Sequence, residues 1–369
     1  MPVTENKTRI NYKLWIVLGI CAVALFLRYD CLNNRPWWGD EELQYTNVKG
    51  EGEFEGKLRP FWAKIHYISG DHSAFPGEYV LTFPFVQVFD RNKWGVAIPH
   101  ILATILGFYF LYRLSQQYLR TLLGYFIAFS IVGMNTNLIF HSFEFRPYAV
   151  LPTLYLANIY LFNDLVPNFN KASFQKKFWV GVYIVLSMSY HAYSVLILGL
   201  PLMYQVFVHR RVGWQYYIKE SFVKYFAACF VLAMALWAWF ASGNNFGVMP
   251  NIREQTIVDT FQYIPNPVHE PLGFLKGVLG NLIGFKWLYP FLLGMIALGL
   301  PHKQRLEQWL FFLTLIVLPL ALILVFDILT IYWFLQRQFV WIIPVFALFL
   351  GWCADTIFLL FKSSKRGQT

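Results

Sequence analysis

The amino-acid sequence predicts an all-α polytopic membrane protein with about ten transmembrane helices. Only 14% of the 369 residues are charged and 57% are hydrophobic, whereas about 25% of a typical soluble domain is charged. Aromatic residues make up 20% of the chain, and such residues collect at the two interfaces between membrane and water. A helix needs roughly 20 mostly apolar residues to cross a membrane. Apolar segments close to this length recur along the whole chain.

These apolar segments define a map of spans and loops in a single transmembrane domain, residues 1–369. The predicted spans are 14–28, 94–112, 121–140, 147–163, 178–190, 193–208, 223–241, 285–300, 309–326 and 338–361. The two large outer loops of this map are 29–93 and 242–284. An even number of crossings puts both termini on the same side of the membrane.

The distribution of basic residues supports this map. With both termini in the cytoplasm, the cytoplasmic segments hold 17 of the 30 lysines and arginines but only 5 of the 20 acidic residues. An excess of basic residues in cytoplasmic loops is typical of integral membrane proteins. We therefore expect a multi-pass protein of the plasma membrane and no nucleic-acid partner, although a chain of the endoplasmic reticulum would look similar.

Three segments need separate treatment. Residues 78–90 are apolar but too short to cross, and we expect a helix that lies along the outer interface or dips in and returns. Residues 49–75 alternate charged and aromatic side chains, as amphipathic interfacial helices do. Residues 178–208 are too long for one span and short for two. They are interpreted as two helices that meet in an outer turn around His191, with one long tilted helix as the alternative.

An acidic stretch, PWWGDEELQY, follows the first span. A carboxylate held at the outer membrane surface can act as a general base toward a substrate hydroxyl. We interpret Asp40 as that base, with Glu41 beside it. The alternative is that the three carboxylates form only a solvated surface.

Further polar side chains are predicted at the same outer face. They are Trp38, His72, Glu78, His141, Glu144, Arg146, His191 and Arg337. Ionisable residues near membrane depth are costly and tend to mark substrate paths. Most of them also have a structural alternative: an ion pair or helix cap for Arg146, headgroup contact for Arg337, a satisfied position at a helix end for His191, loop structure for His72 and Glu78, and an interface anchor for Trp38. The acidic and histidine spacings match no standard metal site, so no metal is predicted.

Four blocks of the chain, in this order, resemble the GT-C superfamily of polytopic glycosyltransferases, which includes protein O-mannosyltransferases and the lipid A aminoarabinose transferase. RYDCLNNRPWWGDEELQY is similar to the family's first span end and acidic loop. The stretch DHSAFPGEYVLTFPFVQVFDRNKWGVAIPHILATILG resembles the next block, but with Ile98-Pro99-His100 where the family has an arginine. HSFEFRPYAVLPTLYLA is similar to the family pattern E-x-R-x-Y-x-L. LQRQFVWIIPVFALFLG resembles a late helix start, with Phe339 for a tyrosine.

The resemblance implies an inverting transfer of a sugar from a polyprenyl-phosphate donor to an acceptor on the extracytoplasmic face. Asp40 matches the first acid of the family and is the expected base, while Glu41 would orient the acceptor or hold a second proton position. Arg337 and Arg146 would bind the lipid phosphate, whose charge grows as the sugar bond breaks. Substrate contacts are expected from the other outer residues named above. No cofactor is predicted, although some superfamily members use a divalent cation.

The expected partners are therefore membrane lipids, a lipid-linked sugar donor, and a lipid, glycan or protein acceptor of the cell envelope. A transporter or flippase of lipid-linked sugars is one alternative, but the chain has no repeated halves. A polymerase of the O-antigen type is the second alternative, but it would carry a large outer loop late in the chain instead of an early acidic one. A non-catalytic membrane subunit of a glycan assembly complex is the third alternative, and the clustered carboxylates and arginines argue against it.

Overall fold

The computed structural model describes residues 12–37, 39–49, 76–191, 193–209, 221–241, 270–284, 294, 296, 306–330 and 336–366. Within these ranges every regular element is helical and none is a strand. The all-α prediction is confirmed for this part of the chain.

The helices are numbered here in chain order. They are α1 Tyr12–Asn34, α2 Gly39–Lys49, α3 Pro76–Phe89, α4 Lys93–Tyr118, α5 Leu122–Met134, α6 Thr136–His141, α7 Leu151–Asn168, α8 Phe174–Met188, α9 Ser194–Met203, α10 Ser221–Ala241, α11 Pro271–Ile283, α12 Leu306–Phe312, α13 Leu318–Thr330 and α14 Ile343–Arg366. A 3₁₀ turn precedes α7 and another precedes α14, and π-helical turns follow α9 and α12.

Five helical segments are long and apolar enough to cross a membrane. They are Tyr12–Asn34, Lys93–Tyr118, Pro147–Lys171, Leu306–Val325 and Phe339–Lys362. They coincide with five of the predicted spans, so the prediction of a membrane-embedded protein is supported. Shorter apolar helices occupy three further predicted spans, at Leu122–Met134, Ser194–Val206 and Ser221–Leu236. The total of ten stays a prediction, because 285–300 lies almost entirely outside the described residues.

The predicted span 121–140 is wrong as a single helix, because the chain breaks at Asn135. The side-chain oxygen of Asn135 accepts a hydrogen bond from the backbone N–H of Leu138 at 3.0 Å, which starts α6 as a helix cap does. Its amide donates to the backbone oxygens of Asn281 at 3.0 Å and Leu282 at 3.2 Å. The break therefore joins α5 to α11, a helix inside the predicted second outer loop.

The turn around His191 is present. Helix α8 ends at Met188 and α9 begins at Ser194, so the alternative of one long helix does not hold. Helix α3 packs against this turn: the N–H of Gly77 donates to the oxygen of Ser189 at 2.9 Å. A Cβ at Gly77 would lie 2.8 Å from the Cα of Tyr190, so this approach requires glycine.

Helix α3 matches the helix predicted over 78–90, and its position relative to a membrane stays a prediction. The amphipathic helices expected over 49–75 lie outside the described residues except for Lys49, which ends α2. Most of the second loop, 242–269, is also outside the described residues.

A buried arginine joins the ends of three helices at the end of the molecule that carries the acidic helix α2, called here the site end. Arg28, close to the end of α1, donates to the backbone oxygens of Val132 at 2.8 Å and Gly133 at 2.9 Å, and to Ser142 Oγ at 3.0 Å. The last carbonyl groups of α5 have no partner within their own helix, and the guanidinium satisfies two of them. The arrangement holds α1, α5 and the segment after α6 in a common frame.

The opposite end, called the far end, contains the start of α5 and the later part of α14. There the buried carboxylate of Asp355 accepts hydrogen bonds from the backbone N–H groups of Arg120 and Thr121. Lys13, at the start of α1, lies over the ring of Tyr125 at 4.9 Å from its centroid. Lys13 and Arg120, both predicted to be cytoplasmic, therefore lie at the same end of the molecule.

Candidate active site

Most of the predicted site residues meet at the site end. Those whose side chains are described there are Glu41, Glu78, His141, Glu144, Arg146, His191 and Arg337. Trp38 and His72 lie outside the described residues. The backbone of Asp40 is in the first turn of α2, and its side chain is outside the described part.

Glu41 is buried and engaged in an ion pair. The guanidinium of Arg35 donates to both carboxylate oxygens, at 2.5 Å and 2.9 Å, in the two-pronged geometry that fixes a carboxylate most firmly. The backbone N–H of Phe145 donates to the same carboxylate at 2.8 Å. Burial alone would lower the pKa of Arg35, but the hydrogen bond and charge of Glu41 outweigh it and raise that pKa. Glu41 therefore ties α2 to the segment after α6.

Glu144 is fully buried beside a histidine and two arginines. Nδ1 of His141 donates to Oε2 of Glu144 at 2.5 Å. Burial by itself would raise the pKa of Glu144, but the charge and hydrogen bond of His141 and the charges of Arg35 and Arg146 hold it below its ordinary value. The lowered pKa favours the carboxylate form of Glu144 at neutral pH.

The pH dependence of stability follows from Glu144. Because its folded pKa lies below its ordinary value of 4.5, the carboxylate stabilises the fold above that value. The contribution is lost as the pH falls through the folded pKa. We expect wild type to melt at a higher temperature than Glu144→Gln at pH 7, and the difference to shrink below pH 4.5. Thermal melts of both proteins between pH 7 and pH 3 measure this, and a difference that stays constant over the range contradicts it.

Glu78 is the centre of a second buried network. Its carboxylate accepts hydrogen bonds from Nε2 of Gln44 at 3.1 Å, from Nε2 of His100 at 2.9 Å, and from the hydroxyl of Tyr190. A buried carboxylate is tolerated when its oxygens are bonded in this way. The network joins α2, α3, α4 and the turn after α8 at one carboxylate.

The cationic side of the site surrounds Tyr148. The guanidinium of Arg337 lies 5.3 Å from the centre of the Tyr148 ring, and the ring of His191 lies 5.6 Å from it. Arg146 donates to the side-chain oxygen of Gln44 at 3.5 Å. Gln44 thus bridges this cationic group and Glu78.

His191 is held in its neutral form. Burial and the positive charges of Arg146 and Arg337 lower its pKa from 6.5 to about 3. Its Nδ1 accepts a hydrogen bond from the backbone N–H of Tyr193 at 3.1 Å, so the ring proton is on Nε2. His191 is therefore an uncharged ring that lies next to two arginines.

The sequence did not identify several members of this site. They are Arg35, Gln44, His100, Tyr148 and Tyr190. His100 carried a usable signal, since it is an ionisable residue in the first turns of a predicted span. Within the described ranges, no group of three or more His, Cys, Asp or Glu residues is arranged to hold a metal ion, and the absence of a metal stays a prediction.

Comparison with known proteins adds no assignment. Neither the protein-family models nor the curated proteins nor the solved structures compared with this chain give a match.

Proposed function

We propose that the chain is a membrane glycosyltransferase of the GT-C type, which moves a sugar from a polyprenyl-phosphate donor to an acceptor hydroxyl on the extracytoplasmic face. The acceptor oxygen attacks the anomeric carbon from the side opposite the phosphate and gives up its proton to a base. The bond between the anomeric carbon and the phosphate oxygen breaks, and its electron pair leaves with polyprenyl phosphate. The product has the inverted configuration.

The observation that carries the proposal is the pairing of a cationic group with an acidic helix in one place. Arg337 and His191 lie against the ring of Tyr148, Arg146 is close enough to His191 to act on it by its charge, and Gln44 of α2 is hydrogen-bonded to Arg146. Fixed donors and cations stabilise the charge that develops on a departing phosphate. Bidentate recognition of phosphate is a particular property of arginine.

Asp40 is the proposed base. It lies one helical turn before Gln44, so positions 40 and 44 are on the same side of α2. Glu41 is occupied by Arg35 and the N–H of Phe145, which suits a residue that positions α2. Glu41 is accordingly proposed to position α2 and so to orient the acceptor, while Asp40 takes the proton.

The other residues are proposed to shape the substrate site. Glu78 and Glu144 are already hydrogen-bonded to His100 and His141, so they hold the histidines and tyrosines in orientation toward the sugar. Trp38 and His72 are retained as predicted substrate contacts. The nature of the sugar and of the acceptor is open to the experiment below.

The test is an assay of polyprenyl phosphate release. Purified protein in lipid nanodiscs is mixed with membrane extract as acceptor and with a panel of polyprenyl-phosphate sugars labelled in both lipid and sugar. We expect one donor to release free polyprenyl phosphate while its sugar label moves to the acceptor fraction. Transfer of intact donor across a vesicle membrane without release would support a flippase instead. Inactivity with every donor in both assays would contradict the proposal and favour a non-catalytic subunit.

A further inference from the structure

A polar cavity of about 460 Å³ lies at the far end of the molecule. Its walls are the last residues of α4, the second half of α7, the first turn after α9 and the start of α12. Small-molecule sites typically enclose about 300–1,000 Å³. Tyr118 in its wall lies two residues before Arg120, whose backbone N–H donates to Asp355 at the far end, so the cavity is separate from the candidate active site.

Asn163 organises the polar lining. Its side-chain nitrogen donates to Gln117 Oε1 at 3.0 Å and to the hydroxyl of Tyr118 at 3.3 Å, and its oxygen accepts from Gln205 Nε2. The side-chain oxygen of Gln308 is buried and has no hydrogen-bond partner among the described residues. A buried acceptor of this kind is costly unless a ligand or water completes it.

The backbone of the cavity is irregular at two places. Tyr204 begins a π-helical turn, Tyr204–His209, and Gln205 is its second residue. Gln308 lies on α12, which runs into a second π-helical turn, Leu313–Val317. Such turns are rare insertions and occur frequently at functional sites. The first of these turns supplies Tyr204 and Gln205 to the wall of the cavity, and the second begins five residues after Gln308.

Aromatic rings form the other part of the lining. The ring of Tyr118 stacks on Phe311 at 4.4 Å, and Tyr204 meets the edge of the same ring at 5.1 Å. Phe311 is fully buried, so it fixes both tyrosines. Rigid tyrosines with an apolar face and a polar tip suit a ligand with both characters.

The polar groups of the lining disfavour two classes of ligand, phosphates and cations. No lysine or arginine of the described ranges lines the cavity, which disfavours phosphates and nucleotides. Four amides line it, and each amide has both donors and acceptors. A cation could bind only the oxygen atoms of these amides and would leave their N–H groups unused. One of the two acidic side chains, Asp164, is already paired with Lys176 at 3.2 Å.

We infer that this cavity binds the uncharged ring of a hexose-sized sugar, as a free sugar or as the headgroup of a membrane glycolipid. Hydroxyl groups both donate and accept, so they match the amides, while the ring face packs on tyrosine. The inference does not depend on sugar transfer at the site end.

The test is equilibrium binding to the purified full chain in nanodiscs, with no donor present. One arm uses radiolabelled methyl glucoside, methyl galactoside, methyl mannoside and N-acetylglucosamine. The other arm uses nanodiscs that contain glucosyl- or galactosyl-diacylglycerol, with bound lipid measured by native mass spectrometry. Saturable binding in the first arm identifies a free sugar, and binding confined to the second identifies a glycolipid headgroup.

Substitutions of cavity residues test whether the sugar binds in this cavity. Gln308→Leu should weaken it by about tenfold, roughly the loss of one hydrogen bond. Asn163→Ala should weaken it by a similar factor, because Asn163 holds Gln117, Tyr118 and Gln205 in place. Asn168→Ala is the matched control, because Asn168 is an exposed asparagine on the same helix. Arg337→Met should bind as wild type does, since Arg337 lies at the site end. Thermal melts check that each variant is folded.

Three results would overturn the inference. The first is the absence of saturable sugar binding in both arms, which leaves a water-filled cavity. The second is binding of choline or of a hexose phosphate in place of the neutral sugars. The third is sugar binding that Asn163→Ala and Gln308→Leu leave unchanged, or that Arg337→Met abolishes.

Discussion

Arg337→Met is expected to slow polyprenyl phosphate release by about 100- to 1,000-fold, the usual effect of removing one fixed donor from a developing oxyanion. The guanidinium of Arg337 lies 5.3 Å from the centre of the Tyr148 ring. Its positive charge and that of Arg146 lower the pKa of His191. Because this guanidinium is proposed to stabilise the departing phosphate, its removal should lower kcat. Arg337→Lys, which keeps the charge but not the two-pronged geometry, should recover only part of the rate.

The matched control for this variant is Arg113→Met. Arg113 also lies over a tyrosine, at 5.0 Å from the Tyr160 ring, but outside the candidate active site. A general requirement for arginines stacked on tyrosines would make the two variants equally slow. Equal rates for Arg337→Met and wild type would remove Arg337 from the reaction.

Glu41→Gln is expected to destabilise the fold by about 3–5 kcal/mol, the range for breaking one partner of a buried ion pair. The substitution removes the carboxylate that pairs directly with the Arg35 guanidinium, whose side chain is only 12% exposed. It also weakens the bond that the N–H of Phe145 makes to α2. Reversible unfolding in detergent micelles, followed by tryptophan fluorescence, measures the change in the free energy of unfolding.

Glu42→Gln is the matched control for Glu41→Gln. Glu42 is the next residue on the same helix, and its contact with Arg91 is longer, 3.7 Å, between two solvent-exposed side chains. Exposed pairs of this kind contribute about 0–1 kcal/mol. If the two variants lose the same stability, the Arg35–Glu41 pair does not anchor α2 in the way described.

The sequence anticipated the helical structure of the described ranges, the apolar helices long enough to cross a membrane, and the grouping of Glu41, Glu144, His191 and Arg337 at one end. These inferences rest on properties that are local in the chain: the length of apolar segments and the alternation of basic loops. The turn at His191 was likewise visible as polar residues in the middle of an overlong apolar stretch.

The sequence did not reveal the contacts that depend on tertiary packing. The break falls at three polar residues, 135–137, inside an otherwise apolar segment, and the bond of Asn135 to the end of α11 could not be read from the sequence. The bonds of Glu78 to His100 and Tyr190 join residues 22 and 112 positions away. Neither helix periodicity nor hydropathy carries information about such partners.

The most direct test of sugar transfer with Asp40 as the base compares polyprenyl phosphate release by wild type, Asp40→Asn and Asp30→Asn. Asp30 is the control because it is an exposed aspartate near the end of α1, outside the candidate site. We expect Asp40→Asn to be folded and to lose at least about 100-fold in rate, as expected for a general base, while Asp30→Asn keeps the wild-type rate. A folded Asp40→Asn with wild-type turnover would contradict the assignment of the base. Equal loss in both variants would show that the effect does not arise from the proposed site.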